Sequence, residues 1–301
     1  MMTRSERKIR VRFPGSSQDK ILNMKKFISI AFGLLLLSSC RSLVLEDRTA
    51  CPSFLYFNVT NSILFEDFQN VFVSAFSYPD KTFMSCDTTV LSNIQDKSFY
   101  LEVKKSDAVV GHGAIGFEDL ILKDGSKWVV DEGSNYAPLY RFDYKAPARS
   151  ESAVIPVEMV KDHSKVTVEF VNIDSFTTSS GTFPFYIVIK GNTCGVDGFD
   201  GKPIRGDYVY EPEEEKVGVF NFIVPRQFDR ALIMELYAKP GEYIEEGLIR
   251  TFALWDFFKE YGMSWDAKNL ADLYVKIDFV ESRYEVKVMP WEKGADIIYE
   301  F

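Results

Sequence analysis

The sequence predicts an all-β chain with one short helix, arranged as two β-sandwich domains. Three observations carry this. Short apolar runs alternate with polar residues at period two. Turn residues recur after about every ten positions. Hydrophobic residues make up 46% of the 301, enough to fill two cores.

The elements follow in order. Lys123-Asp124-Gly125 and Asp131-Glu132-Gly133 mark turns in the first half. In residues 165–173, Val166, Val168 and Phe170 face one way while Thr167 and Glu169 face the other. Residues 185–190 are apolar on both faces until their end, as a central strand is. Pro240-Gly241 suits a type II turn between runs at 231–238 and 242–249. Residues 251–261 predict the helix, with Phe252, Trp255 and Phe258 on one face and Gly262 as its stop. Residues 273–280 and 284–289 alternate in the same way. Glu281-Ser282-Arg283 joins them, which predicts a hairpin. No repeat of 20–50 residues is evident.

The amino end is of another kind. Met24-Lys25-Lys26 precedes an apolar run at 27–37, a positive n-region and then an h-region. Eleven residues are too few to span a bilayer as a helix, which takes roughly 20. Leu37-Ser38-Ser39-Cys40 resembles the bacterial lipobox. Its small residues admit the backbone to a signal peptidase, and the Cys40 thiol takes a diacylglycerol. The amine freed by cleavage is then acylated, a palmitoyl chain on nitrogen. Met24 reads as the start, with residues 1–23 an overlong leader.

The domain reading is therefore 1–39 leader and signal peptide, 40–52 lipidated tether, 53–160 and 161–301 the two sandwiches. Residues 146–152 are polar and hold Pro147. They read either as the interdomain linker or as a loop before the last strand of the first domain.

Charge and motif content exclude several classes. Residues 1–39 hold eight Lys/Arg and two acids. From Cys40 onward the chain has 27 basic and 42 acidic residues, a formal charge of −15. Such a surface repels phosphate backbones, so no nucleic-acid partner is expected. There is no nucleophile elbow, phosphate-binding loop, zinc-protease motif or Cys/His cluster, so the reading is not an enzyme and needs no metal or cofactor. His112, in Gly111-His112-Gly113, reads as part of a turn. His163 reads as part of a short polar turn with Lys161-Asp162. Asp197-Gly198-Phe199-Asp200-Gly201 lacks the ligand spacing of a calcium loop and reads as a plain turn. Arg205-Gly206-Asp207 reads as a chance tripeptide. Cys51, Cys86 and Cys194 remain after Cys40; Cys51 and Cys86 share a domain, and unpaired thiols are the favoured reading.

One resemblance spans nearly all of the chain after Cys40. Its residues are Cys40, Glu46-Asp47-Arg48, then Cys51-Pro52 leading into the apolar run 54–59. Val154 to Met159 and Lys165 to Phe170 follow, and the closing hairpin runs on to Pro290-Trp291. The chain resembles the fimbrial anchor lipoproteins of Bacteroidales, minor subunits of type V fimbriae. The resemblance implies two tandem transthyretin-like sandwiches and lipid attachment at the outer surface of the outer membrane. It implies fimbrial stalk subunits as partners and a non-enzymatic role in holding the fibre and affecting its length. Host or bacterial receptors would be met only through the fimbrium. Stalk subunits of this kind are cut by an Arg-specific protease near the amino end; Arg149 lies too far along the chain to be assigned that site. Residues 296–301 are short and apolar enough to pair with a neighbour, but read first as the tail of their own domain. Two alternatives stand beside the anchor: a fimbrial tip subunit, and a surface glycan-binding lipoprotein. For the second, Trp128, Trp255, Trp265 and Trp291 are scattered along the chain rather than paired on one strand.

Overall fold

The computed structural model describes residues 51–60, 70–173, 181–240, 247–260, 262–278 and 283–289. The first half contains β1 (Pro52–Val59), β2 (Asn70–Ser77), β3 (Phe83–Val90), α1 (Leu91–Gln95), β4 (Leu101–Lys104), β5 (Ser106–Ile115), β6 (Leu120–Lys123), β7 (Lys127–Val130), β8 (Tyr140–Ala148), β9 (Ser152–Val157) and β10 (Val160–Lys161). The second half contains β11 (His163–Val171), β12 (Phe185–Asp197), β13 (Pro203–Tyr210), β14 (Glu214–Lys216), β15 (Val219–Pro225), β16 (Ile233–Ala238), β17 (Gly247–Phe252), α2 (Leu254–Glu260), β18 (Asp272–Asp278) and β19 (Arg283–Met289).

These strands form four sheets. Two make the first sandwich: a three-stranded sheet in the order β4-β1-β9 and a five-stranded one in the order β10-β8-β5-β2-β3. The second sandwich pairs a five-stranded sheet, β14-β15-β11-β18-β19, with a six-stranded sheet, β17-β16-β12-β7-β6, to which β13 adds through β12. The β6–β7 hairpin, early in the chain, thus extends a sheet of the later sandwich. The fold class read from the alternation is the one observed.

Each sandwich has its own core. Leu55, Phe57, Val73, Leu101, Phe142 and Ile155 are among the buried residues of the first, and Val166, Val168, Ile187, Phe222, Met234 and Val275 among those of the second. The topologies also repeat. In each sandwich the first strand pairs antiparallel with one neighbour and parallel with a late strand: β1 with β4 and β9, β11 with β15 and β18. The closing hairpin forms as read, β18 against β19.

Local sequence accounts for the turns. Asp124 and Gly125 both take positive φ at the β6–β7 turn, which Gly and Asp tolerate. Gly262 at φ +82 follows α2 as its stop. The helix is shorter than read, because Thr251 and Phe252 still pair with β16. Its buried face is Leu254 and Phe258, not the Phe252–Trp255–Phe258 stripe. A second short helix, α1, buries Leu91 and Ile94. Of residues 146–152, the first three end β8 and the last begins β9, so the segment is a loop before a strand of its own sandwich. The Pro240-Gly241 turn and residues 296–301 lie outside the described residues.

Gly111-His112-Gly113 is no turn. It lies in the middle of β5, paired on both sides with β2 and β8. The glycines serve close packing. A Cβ on Gly113 would stand 2.1 Å from Phe142, and one on Gly111 would stand 2.1 Å from the Ser74 carbonyl oxygen and 2.5 Å from the Tyr144 ring. The Tyr144 hydroxyl donates to that same Ser74 oxygen at 2.8 Å, so ring and backbone cannot both give way. Gly111→Ala is therefore expected to lower stability by about 1–3 kcal/mol in urea unfolding, against changes within about 0.5 kcal/mol for an exposed control.

Candidate functional site

The described residues offer three features with functional bearing: the junction of the two sandwiches, a polar cleft, and an exposed aromatic face.

The junction is built on Asp162, the residue between β10 and β11. Its side chain is fully buried. Arg141 from β8 donates through Nε to one carboxylate oxygen at 2.6 Å, and Arg226, after β15, donates through Nε to the other at 2.7 Å. One carboxylate thus joins strands of both sandwiches. Arg226 also donates to the carbonyls of Trp265, Ala267 and Lys268. Lys161 is buried as well; its Nζ donates to Asp272 at 2.5 Å and to the Leu270 carbonyl at 3.1 Å. Burial lowers the Lys161 pKa, and Asp272 works against that shift. The polar turn read at Lys161-Asp162-His163 is therefore an interior crossing whose charges find partners more than 20 residues away.

Each histidine sits in this interior. His112 is buried among Phe72, Phe76, Trp128 and Phe199. Its Nε2 lies 3.0 Å from the Gly125 carbonyl oxygen, which only an N–H can satisfy, while Nδ1 has no partner. Burial lowers its pKa from 6.5 to about 4. His163 Nδ1 meets the Leu139 carbonyl at 3.0 Å, and burial holds its pKa well below the ordinary value.

The turn at Asp197–Gly201 closes the junction. It is a turn, as read, and its carboxylates are used internally. Asp197 accepts from the Phe199 amide, and Asp200 accepts from the Lys202 amide and ammonium. Phe199 meets Phe76 edge-on at 4.8 Å. A Cβ on Gly198 would lie 2.6 Å from the His112 ring, and one on Gly201 1.5 Å from the Arg141 guanidinium. Both glycines are thus required by close approach, and the turn wedges the second sandwich onto the first. The sequence signal for this was present, two glycines flanking a Phe, but its target 60–90 residues away was not.

The cleft, about 490 Å³, is lined by Glu118, Asp119, Asp131, Ser134, Asn135 and Pro138, among others. Asn135 already accepts from the Ile223 amide at 2.9 Å. Among the described residues no group of three His, Cys, Asp or Glu is placed to hold a metal.

The aromatic face is the outer side of the β4-β1-β9 sheet. Phe54 and Tyr56 from β1 meet Tyr100, just before β4, with ring centroids 5.0 and 5.8 Å apart. Val154 lies opposite Tyr56 and is 63% exposed; Tyr100 is 45% exposed.

The remaining sequence candidates are placed as follows. Cys40, Leu37, Ser38, Ser39 and Trp291 lie outside the described residues. Cys51, Cys86 and Cys194 are free thiols. Arg205-Gly206-Asp207 is within β13, where Gly206 faces the Cys194 sulfur and Arg205 covers the Phe228 ring. Trp128 is buried in the second core. Trp255 and Trp265, scattered in sequence, stack at 5.3 Å, with Trp265 buried.

Two outcomes follow from the junction. Asp162→Asn leaves Arg226 without its carboxylate partner and Arg141 with only its 3.5 Å contact to Asp143, and is expected to cost about 3–5 kcal/mol in denaturant unfolding. His112 is neutral in the fold while the unfolded chain takes up a proton near pH 6.5. Its contribution is full above that pH and is lost as pH falls toward 4, roughly 3 kcal/mol in all. In a pH series of unfolding curves, His112→Phe is expected to start less stable at pH 7.5 and to lose correspondingly less between pH 6.5 and 4.

No family model matches the chain, and no curated protein is found to be similar to it. Solved structures are. A candidate polysaccharide-binding protein from Bacteroides thetaiotaomicron is similar at 10% identity with a TM-score of 0.58, over 83% of this chain and 98% of that one. A candidate adhesin from the same organism is similar at 11% identity with a TM-score of 0.57, over 84% and 100%. The fimbrial anchor protein Mfa2 from Porphyromonas gingivalis is similar at 14% identity with a TM-score of 0.54, over 83% and 100%. The likeness is one of fold, and it takes in essentially the whole length of each of these proteins.

Proposed function

We infer that the chain is a non-enzymatic, lipid-linked subunit that attaches a fimbrium to the outer membrane. The observation that carries the reading is the lipobox, Leu37 to Cys40, set only twelve residues ahead of β1. The body that follows has the same fold as Mfa2. On this reading Cys40 carries an S-diacylglycerol and an N-palmitoyl chain. Several acyl chains hold a protein stably, since each buried CH₂ contributes about 0.8 kcal/mol. The two sandwiches act as tandem units, the second including the β6–β7 hairpin, and the buried Arg141–Asp162–Arg226 bridge makes them move together. The subunit faces outward from the cell and meets stalk subunits.

The glycan-binding alternative draws on the name of one structural neighbour. Against it, Trp128 and Trp265 are buried and Tyr136, which lines the cleft, is buried too, so none of them offers an open ring to a sugar. A tip subunit would share the sandwiches and the lipoprotein export route.

Deleting the gene is expected to release fimbriae from cells into the medium, read by immunoblotting cell and supernatant fractions for the stalk subunit. Fibres that stay attached overturn the anchor reading. Cys40→Ala is expected to remove the acyl mass from the protein and to shift stalk subunits to the medium to a similar degree.

A further inference from the structure

We propose that the outer face of the β4-β1-β9 sheet is a membrane-contacting surface that seats the first sandwich against the lipid headgroups. The proposal rests on the reading of Cys40 as the lipid attachment site.

The face has the chemistry of a bilayer interface. Phe54, Tyr56 and Tyr100 form one aromatic cluster, extended by the exposed Val154. Tyrosine suits the boundary because its ring is apolar and its hydroxyl polar. Register places these residues together: Tyr56 opposes Val154 across the parallel β1–β9 pair, and Phe54 opposes Glu102 across β1–β4. Inward-facing neighbours on the same strands, Leu55, Phe57, Leu101 and Ile155, are buried in the core. The cluster is thus left over after the core is filled.

Two further observations choose a lipid surface as the occupant. The first is reach. Pro52, the first residue of β1, lies only twelve positions after Cys40. Fully extended, those twelve steps of chain span at most about 40 Å, and as a flexible coil roughly 20 Å. A tether this short gives the face an effective concentration at the membrane on the order of millimolar, so a weak intrinsic affinity is enough. The second is charge. The chain from Cys40 onward carries −15, which an anionic leaflet repels. The three strands of this sheet carry one Glu and one Lys between them, Glu102 and Lys104, and are neutral. This face can approach an anionic surface where an acidic face cannot.

The test uses the full, lipid-modified protein purified from cells. It is reconstituted into vesicles of phosphatidylethanolamine and phosphatidylglycerol with brominated acyl chains. Tyr100→Trp places a reporter on the face, and Leu248→Trp places one on an exposed position of β17 in the other sandwich. The emission added by Tyr100→Trp is expected to be lost in brominated vesicles and kept in unbrominated ones. The emission added by Leu248→Trp is expected to be unchanged. Adding Val154→Asp to Tyr100→Trp is expected to restore the emission while the chain stays with the vesicles through its lipid. Mass analysis of the Cys40 peptide reads the acylation separately. An acylated, vesicle-bound chain whose Tyr100→Trp emission is not quenched overturns this proposal alone and leaves the face to a protein neighbour. Quenching that Val154→Asp fails to relieve overturns it as well. An unacylated Cys40 overturns the anchor reading and this proposal with it.

Discussion

The arrangement of the molecule depends on one buried carboxylate. Asp162 stands where the chain crosses from one sandwich to the next, fully out of solvent, between Arg141 and Arg226. A charge there is tolerable only with both partners present, since desolvation alone costs several kcal/mol. The three groups therefore set one another's positions. Arg141 lies on β8 of the first sandwich, and Arg226 is fixed by carbonyls of 265–268 in the second. A change in the angle between the sandwiches would pull at least one guanidinium away. The interaction supplies orientation more than net stability.

The packing around it follows the same logic with apolar groups. Glycines at 111, 113, 198 and 201 remove side chains where rings or a guanidinium must pass. Phe199 fills the space so made and presses on His112 and Phe76. Strand β2 is buried along nearly its whole length, because its outer face meets the β6–β7 hairpin and the 197–201 turn instead of water. The histidines are part of this packing, as neutral rings with one hydrogen bond each.

The strands that face water on one side were legible in the sequence. In β11 and β18 polar residues mark the outer face, so alternation shows the strand and its register at once. Strands covered on both sides were not. Gly111-His112-Gly113 has the composition of a turn, and only the rings of Phe142 and Tyr144 on the neighbouring strand explain it as a strand. Lys161-Asp162-His163 has the composition of a surface loop, and its partners Arg141, Arg226 and Asp272 are too distant for local reading. The helix lost its first turn to β17, where pairing with β16 outweighed helical periodicity. The lipobox is the reverse case. A peptidase reads it as an extended local segment, so four consecutive residues carry the information and no partner is needed.

The parallel pairing of first and late strands has a mechanical consequence. Tension that entered at the amino end of β1 and left at the carboxyl end of β9 would act on opposite ends of two parallel strands. Such strands slide rather than peel, and the rungs from Phe54–Ser152 to Val59–Val157 are stretched together instead of one at a time. The second sandwich repeats the device, from Val166–Leu273 to Val171–Asp278. Under tension applied in that way, each unit is held by a shear clamp rather than by an edge that peels.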